Sequence, residues 1–290
     1  MAEISAKDVM TLREQTGAGM MDCKRALADA GGDAKKATDL LRERGLAKAG
    51  KREGRATSEG AIALALAGSA GAMVELGCET DFVARTDAFI ALGDLLARAV
   101  VADANAATVD ALLATPIEGE KVQDRVANAI SVLGENVVVK RVARLAVGSG
   151  VVGGYVHAGG KLGVLVALEA AGGGAALSGL AKDIAMHIAA ADPSPVAVSR
   201  EGVSPELLAS ERAIYRKQAL ASGKPEKIVD KIVDGKLDKF VAEVALLEQP
   251  FVKDPDKTVG ALITEIGGKE VNVSAFERFK LGQGEEASAE

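Results

Sequence analysis

The sequence predicts an α+β fold. A three-helix bundle stands at the N-terminus, ahead of two related α+β subdomains with antiparallel sheets, the second carrying an inserted antiparallel helical hairpin. Three observations predict it. Apolar residues recur at helical spacing up to about residue 55. From residue 60 the period drops to two. The order hairpin, helix, returning strand then occurs twice, as architecture rather than letter by letter.

Residues 1–55 form the bundle and a basic linker. Ser5 caps a helix from Ala6 to Gln15, with Asp8 in capping-box position. Thr16-Gly17-Ala18-Gly19 stops it. A second helix runs from Met20 to Ala30, with Met20, Cys23, Leu27 and Ala30 on one face. Gly31-Gly32-Asp33 ends that helix and caps a third, Ala34 to Arg44, with Ala37, Leu40 and Leu41 inward. Lys48 to Arg55 has four basic residues, one acidic residue and two glycines, and reads as a solvated linker rather than a nucleic-acid contact.

The first α+β unit spans 56–148. Ile62, Leu64 and Leu66 alternate, Gly68 to Gly71 turns the chain, and Val74, Leu76 and Cys78 alternate again. After Thr80-Asp81-Phe82 a helical period runs through Ala88 to Ala104. Helices around Val109 to Ala114 and Lys121 to Leu133 follow. Gly134 closes the last, and Asn136 to Val147 is a strand. The second unit spans 149–203 and 249–281. It has a hairpin of Val151 to His157 and Leu162 to Leu168, a helix from Ala175 to Ala191 and a strand from Glu270 to Leu281. Residues 204–248 are the inserted hairpin, with helices Glu206 to Leu220 and Glu226 to Leu247 joined through Ser222-Gly223-Lys224-Pro225. Leu207 and Ile214, Leu208 and Tyr215, then Val229, Val233, Leu237, Phe240 and Val244 supply the seam. Such an arm either protrudes as a protein contact or packs on its own core. Residues 282–290 form a polar tail.

Composition excludes several chemistries. Two His and two Cys build neither a His-rich metal centre nor a zinc ribbon. Eight aromatics without Trp argue against a stacking platform for single strands, and a net charge of −6 against broad phosphate-backbone binding. Neither a secretory signal nor a membrane-length apolar run is visible, so the expected setting is cytoplasmic with free thiols.

The motif matches also fail. Gly148-Ser149-Gly150-Val151-Val152-Gly153 matches a dinucleotide fingerprint but leads into a strand rather than a helix. Gly45 to Lys51 resembles a phosphate loop, but Arg52 stands where Ser or Thr must ligate magnesium. Cys23 and Cys78 lie on apolar faces and read as inert core thiols. No catalytic constellation stands out, so no enzyme, cofactor or metal is expected.

Two stretches are chemically odd. In Thr16 to Cys23, Met20 and Met21 cannot both face one core, so a deformable contact surface and core packing are both open. In Cys78 to Arg85, Thr80 or Asp81 can cap a helix, and Phe82 is either a staple or a wedge aimed at a partner.

TGAGMMDCKRAL (Thr16 to Leu27) and CETDFVAR (Cys78 to Arg85) resemble the two signatures of the bacterial elongation factor Ts family. LGEN (Leu133 to Asn136), GKPEKIV (Gly223 to Val229) and LEQPFVKD (Leu247 to Asp254) extend the resemblance to nearly the whole chain. It implies a ubiquitin-associated-like N-terminal bundle, two α+β subdomains and a coiled-coil arm. It implies guanine-nucleotide exchange on elongation factor Tu, the GTPase that delivers aminoacyl-tRNA; the charge and the apolar runs set the expectation of no direct contact with nucleic acid or membrane. It places Asp81 and Phe82, with Thr80 and Val83, at the magnesium side of the partner's nucleotide site. It assigns Met20 and Met21, joined by Leu12 and Arg13, to an N-terminal contact surface. Leu133, Gly134 and His157 match positions near the partner's phosphate loop. The resemblance turns the choice for Phe82 toward the wedge. Some members continue into a C-terminal helix, which is not expected here, and Met10 stands where some carry a charge. A non-exchanging GTPase-binding scaffold or adaptor is the competing reading, and dimerisation through the arm or the core stays open.

Overall fold

The structure, a computed structural model, describes residues 4–52, 54–222 and 225–283. Gly223 and Lys224 of the expected arm turn, and 284–290 of the expected tail, lie outside the described residues.

The bundle is α1 (Ala6–Thr16), α2 (Met20–Asp29) and α3 (Ala34–Gly50). Ser5 and Asp8 form the expected capping box, and Asp33 accepts the N–H groups of Lys35 and Lys36. Val9, Leu12, Cys23, Ala26, Leu27 and Ala37 fill its core. Two expectations are corrected. Met20 does not face that core but lies 43% exposed. The expected linker begins late, because α3 continues through Gly50 before the chain turns.

The first half continues with β1 (Glu59–Ala67), β2 (Ala70–Cys78), α4 (Asp81–Ala84), α5 (Asp87–Ala102), α6 (Val109–Ala114), the ribbon β3 (Pro116–Ile117) and β4 (Glu120–Lys121), α7 (Val122–Leu133) and β5 (Val137–Ala146). The expected single helix after Phe82 is two helices. Thr80 caps the first, and Thr86 caps the second while its hydroxyl donates to the Val83 carbonyl at 2.8 Å. That bond ends α4 after one turn.

The second half has β6 (Gly150–Val156), β7 (Leu162–Glu169), α8 (Ala175–Ala190), the arm helices α9 (Pro205–Ala221) and α10 (Glu226–Val244), the ribbon β8 (Pro250–Phe251) and β9 (Asp254–Thr258), α11 (Val259–Gly267) and β10 (Asn272–Lys280). The glycines of 148–153 lead into β6, as the failed fingerprint required. Helix α11 was not expected, although Thr258 caps it and Val259, Leu262 and Ile263 face inward.

Strand order is β1-β2-β5 in one sheet and β6-β7-β10 in the other. Each half therefore follows one path: hairpin, covering helix, small ribbon, second helix, and a strand returning beside the hairpin's second strand. Each sheet buries one face under its helices. The other faces meet, with Ile62 and Met73 packed against Val152, Leu165, Ala167 and Phe279. So β2 and β7 are buried on both faces and do not alternate. Close approach requires glycine. A Cβ on Gly163 would sit 2.7 Å from Ile62 Cγ2, and one on Gly71 2.7 Å from Val152 Cγ1. Glu75 lies buried in this layer and accepts from Arg141 Nε at 2.7 Å, while Arg141 stacks on the Phe279 ring.

The arm's seam is Val229, Val233 and Leu237 against Ala219, Leu208 and Tyr215. Ile214 is exposed instead of joining it. Arg200 fastens the arm's base, donating to Glu248 Oε2 at 2.7 Å and to Asp238 on α10 at 2.5 Å.

Candidate functional site

Strand β2 ends at Cys78 opposite Val137, the first residue of β5. This register brings the chain leaving β2 beside the chain entering β5, and the two are locked together. Thr80 donates its N–H to Glu135 Oε2 at 2.9 Å and its hydroxyl to Glu135 Oε1 at 2.6 Å. Asn136 donates its N–H to Glu79 Oε1 at 2.7 Å and its amide to the Arg55 carbonyl at 2.9 Å. Gly134 makes the turn into this lock, with φ of 83°.

Within the lock, the Thr80 hydroxyl accepts the Val83 N–H and starts α4. Val83 points into the core, which turns Phe82 outward. Phe82 is 81% exposed, the most exposed large apolar side chain among the described residues. Asp81 pairs with Arg85 at 2.8 Å on the same outer surface.

The bundle abuts this region through α7. Gly17, the left-handed cap of α1, lies over Val132, and the Arg52 guanidinium donates to the Ile130 carbonyl at 2.8 Å. Met20 and Met21 follow this turn, both exposed. On the other side of α4 a cavity of about 350 Å³ is lined by Ala84 and Arg85, by Ile90 and Asp94 of α5, and by Gly159 and Gly160 of the β6–β7 tip. The Gly160 carbonyl accepts the Ile62 N–H at 2.8 Å, which ties that tip to β1. His157 is exposed on it, its Nδ1 3.0 Å from the Tyr155 hydroxyl. The tertiary fold thus brings the TGAG turn, LGEN, TDF and the His157 tip into one neighbourhood.

Two predicted contact residues are corrected. Leu12 is 1% exposed and packs in the bundle core, so it supports Arg13 on the surface rather than joining it. Val83 is buried and anchors α4. Leu133 is half-buried against the first core, while Gly134 is exposed. Glu135, Arg85 and Ile90 were missed as site residues. The available signal for Glu135 was a carboxylate directly after a helix-ending glycine.

Both thiols are buried. Burial, reinforced by the Glu135 carboxylate, pushes Cys78 up to about 11, and its Sγ donates to the Thr80 carbonyl. Such a thiol is inert. Within the basic stretch, Arg52 is engaged with the Ile130 carbonyl at 2.8 Å and Arg55 with Glu79 at 3.5 Å. Among the described residues no group of three His, Cys, Asp or Glu is placed to hold a metal, and no helix is long and apolar enough to cross a membrane.

Residues 79–283 match the family model described as Elongation factor TS. A protein named Elongation factor Ts from Agrobacterium fabrum is 48% identical over 296 residues, covering 99% of this chain and 95% of its own length. One of that name from Clostridium botulinum strain Eklund 17B is 45% identical over 287 residues, covering 97% and 94%. The chain belongs to the elongation factor Ts family. Within this family member, the matched residues begin at Glu79, one end of the lock that holds α4, and run through β10. The relatives' coverage takes in the N-terminal bundle as well.

Proposed function

We propose that this chain is a guanine-nucleotide exchange factor for elongation factor Tu and promotes GDP release by disrupting the magnesium and phosphate side of the GTPase site. Family membership supports the role. The observation that carries the mechanism is Phe82, held in solvent on a turn whose backbone is already locked. A preorganised aromatic loses little entropy on insertion.

Exchange is a coupling between two ligands of the GTPase. The factor weakens GDP, and GDP weakens the factor by the same ratio. A thousandfold coupling corresponds to about 4 kcal/mol, since each tenfold is about 1.4 kcal/mol. Burying a Phe side chain contributes about 1.5–3 kcal/mol. Only the part of this burial that bound GDP and Mg²⁺ would prevent counts toward the coupling, so Phe82 supplies at most part of it. Asp81 beside it, paired with Arg85 in the free protein, brings a carboxylate to where the partner's ligands hold Mg²⁺. Leu133 and His157, with Gly134, press on the phosphate-binding backbone, and Arg13, Met20 and Met21 supply contact area that keeps the wedge aimed.

The test is release of a fluorescent GDP analogue from the host's elongation factor Tu. Release accelerating steeply with added protein is the expected result. Binding without acceleration would establish the scaffold reading instead.

A further inference from the structure

Of six methionines, Met73 is fully buried and Met186 half-buried. Three others are strongly exposed: Met10 at 54%, Met20 at 43% and Met21 at 61%. All three lie on α1 and α2, on either side of the TGAG turn. Met10 lines a cavity of about 300 Å³ with Arg13, Glu14 and Gly17, and Met20 opens the helix three residues after Gly17. Met20 and Met21 thus open α2 directly after the turn, and Met10 shares its cavity with Gly17 of that turn. Both cysteines, the usual competitors for oxidant, are fully buried.

We propose that Met10, Met20 and Met21 form an oxidant-sensitive contact patch, through which conversion to methionine sulfoxide weakens docking of the GTPase. The inference rests on the exchange reading above. The co-reactant is a hydroperoxide. A sulfur lone pair attacks the terminal peroxide oxygen, the O–O bond breaks, and the oxygen is transferred to sulfur. The thioether loses two electrons, the proton on the transferred oxygen moves to the departing oxygen, and the hydroperoxide ROOH leaves as ROH, which is water for hydrogen peroxide. The product is polar and chiral where the contact needs a deformable apolar chain, and a sulfoxide reductase reverses it with thiol electrons. Phe82 is not oxidised in this step. The expected signature is therefore weaker association with the wedge's action at saturation retained.

The experiment treats the full chain with graded hydrogen peroxide, ranks sulfoxide formation by peptide mass spectrometry, and measures GDP release against factor concentration. Met10, Met20 and Met21 should react at least about tenfold faster than Met73, because access controls the rate. The half-saturating concentration should rise at least about threefold while the plateau rate holds, and reductase treatment should restore it. A Met10→Leu/Met20→Leu/Met21→Leu variant, compared with itself before and after peroxide, should show no such rise. Met73 oxidising as fast as the patch, an unchanged half-saturating concentration, or an equal rise in the variant would each overturn the proposal. Failure of the untreated protein to accelerate release would refute the exchange reading instead, and the peptide ranking would still judge the patch.

Discussion

Phe82 is exposed because its neighbours leave it no inward direction. Val83 takes the core position, Thr80 starts the turn, and Glu135 holds Thr80 at both its N–H and its hydroxyl. Two predictions belong at this scale. Phe82→Ala should change folding stability by no more than about 0.5 kcal/mol, since an exposed side chain leaves no cavity. It should lower the maximal rate of GDP release more than it raises the half-saturating concentration. Thermal melts and stopped-flow release at saturating factor would check this, and an unchanged maximal rate would refute the wedge. Glu135→Ala should lower stability as well as exchange: it costs about 1–3 kcal/mol by stripping both Thr80 donors of their acceptor. Exchange should fall with Phe82 still present, and Glu135→Gln, which keeps one acceptor oxygen, should recover part of both losses. Urea unfolding paired with release kinetics separates these cases.

Among the elements, the arm shows how periodicity can be right about a seam and silent about its anchorage. The spacing of Val229, Val233 and Leu237 identified the buried line of α10. Nothing local indicated the base, where His187 of α8 is buried between two polar partners. Val252 donates its N–H to Nδ1 at 3.3 Å, so Nε2 carries the proton and donates to Gln249 Oε1 at 3.0 Å. The Gln249 amide donates to the carbonyls of Glu243 and Pro193. Burial lowers the His187 pKa below its ordinary 6.5, opposed by the Gln249 bond. The unfolded chain therefore binds this proton more tightly. Its contribution to stability is complete above about pH 6.5 and is lost as pH falls from there toward the folded-state value. Urea midpoints at pH 7.5 and 5.5 should show a smaller drop for His187→Gln than for the parent chain. The elements missed in the sequence, α11 and the two ribbons, are short, and two-residue strands carry no period to read.

Over the whole molecule, the sheets face each other through a layer in which glycines set the spacing. Gly163→Val should destabilise the chain by about 1–3 kcal/mol or more, because even its Cβ would lie 2.7 Å from Ile62 Cγ2 and 3.0 Å from Met73 Sδ. The far-ultraviolet spectrum should be retained and the melting temperature lowered. A neutral result would show that the two sheets can separate without loss. In the same layer buried Glu75 pairs with half-buried Arg141 and ties β2 to β5, and Arg141 also donates to the Lys280 carbonyl at the end of β10. One residue thus links both sheets.

The sequence by itself determined the local grammar of this protein. Ser5, Asp33, Thr80, Gly17 and Gly134 mark helix ends through bonds made within a few residues. The change of period from 3.6 to 2 separates the bundle from the sheets, and the short signatures carry the family. Such signals are legible because each depends on near neighbours. Tertiary structure alone decided which side chains meet water and which motifs meet one another. Leu12 went in, Met20 stayed out, and β2 and β7 lost their alternation because a second sheet covers the face that would otherwise be solvated. Thr80 and Glu135 are 55 residues apart, and Gly160 reaches Ile62 from the other half of the chain. No window of local periodicity spans those distances. They close only when burial brings the two halves together, and the candidate site is built at that closure.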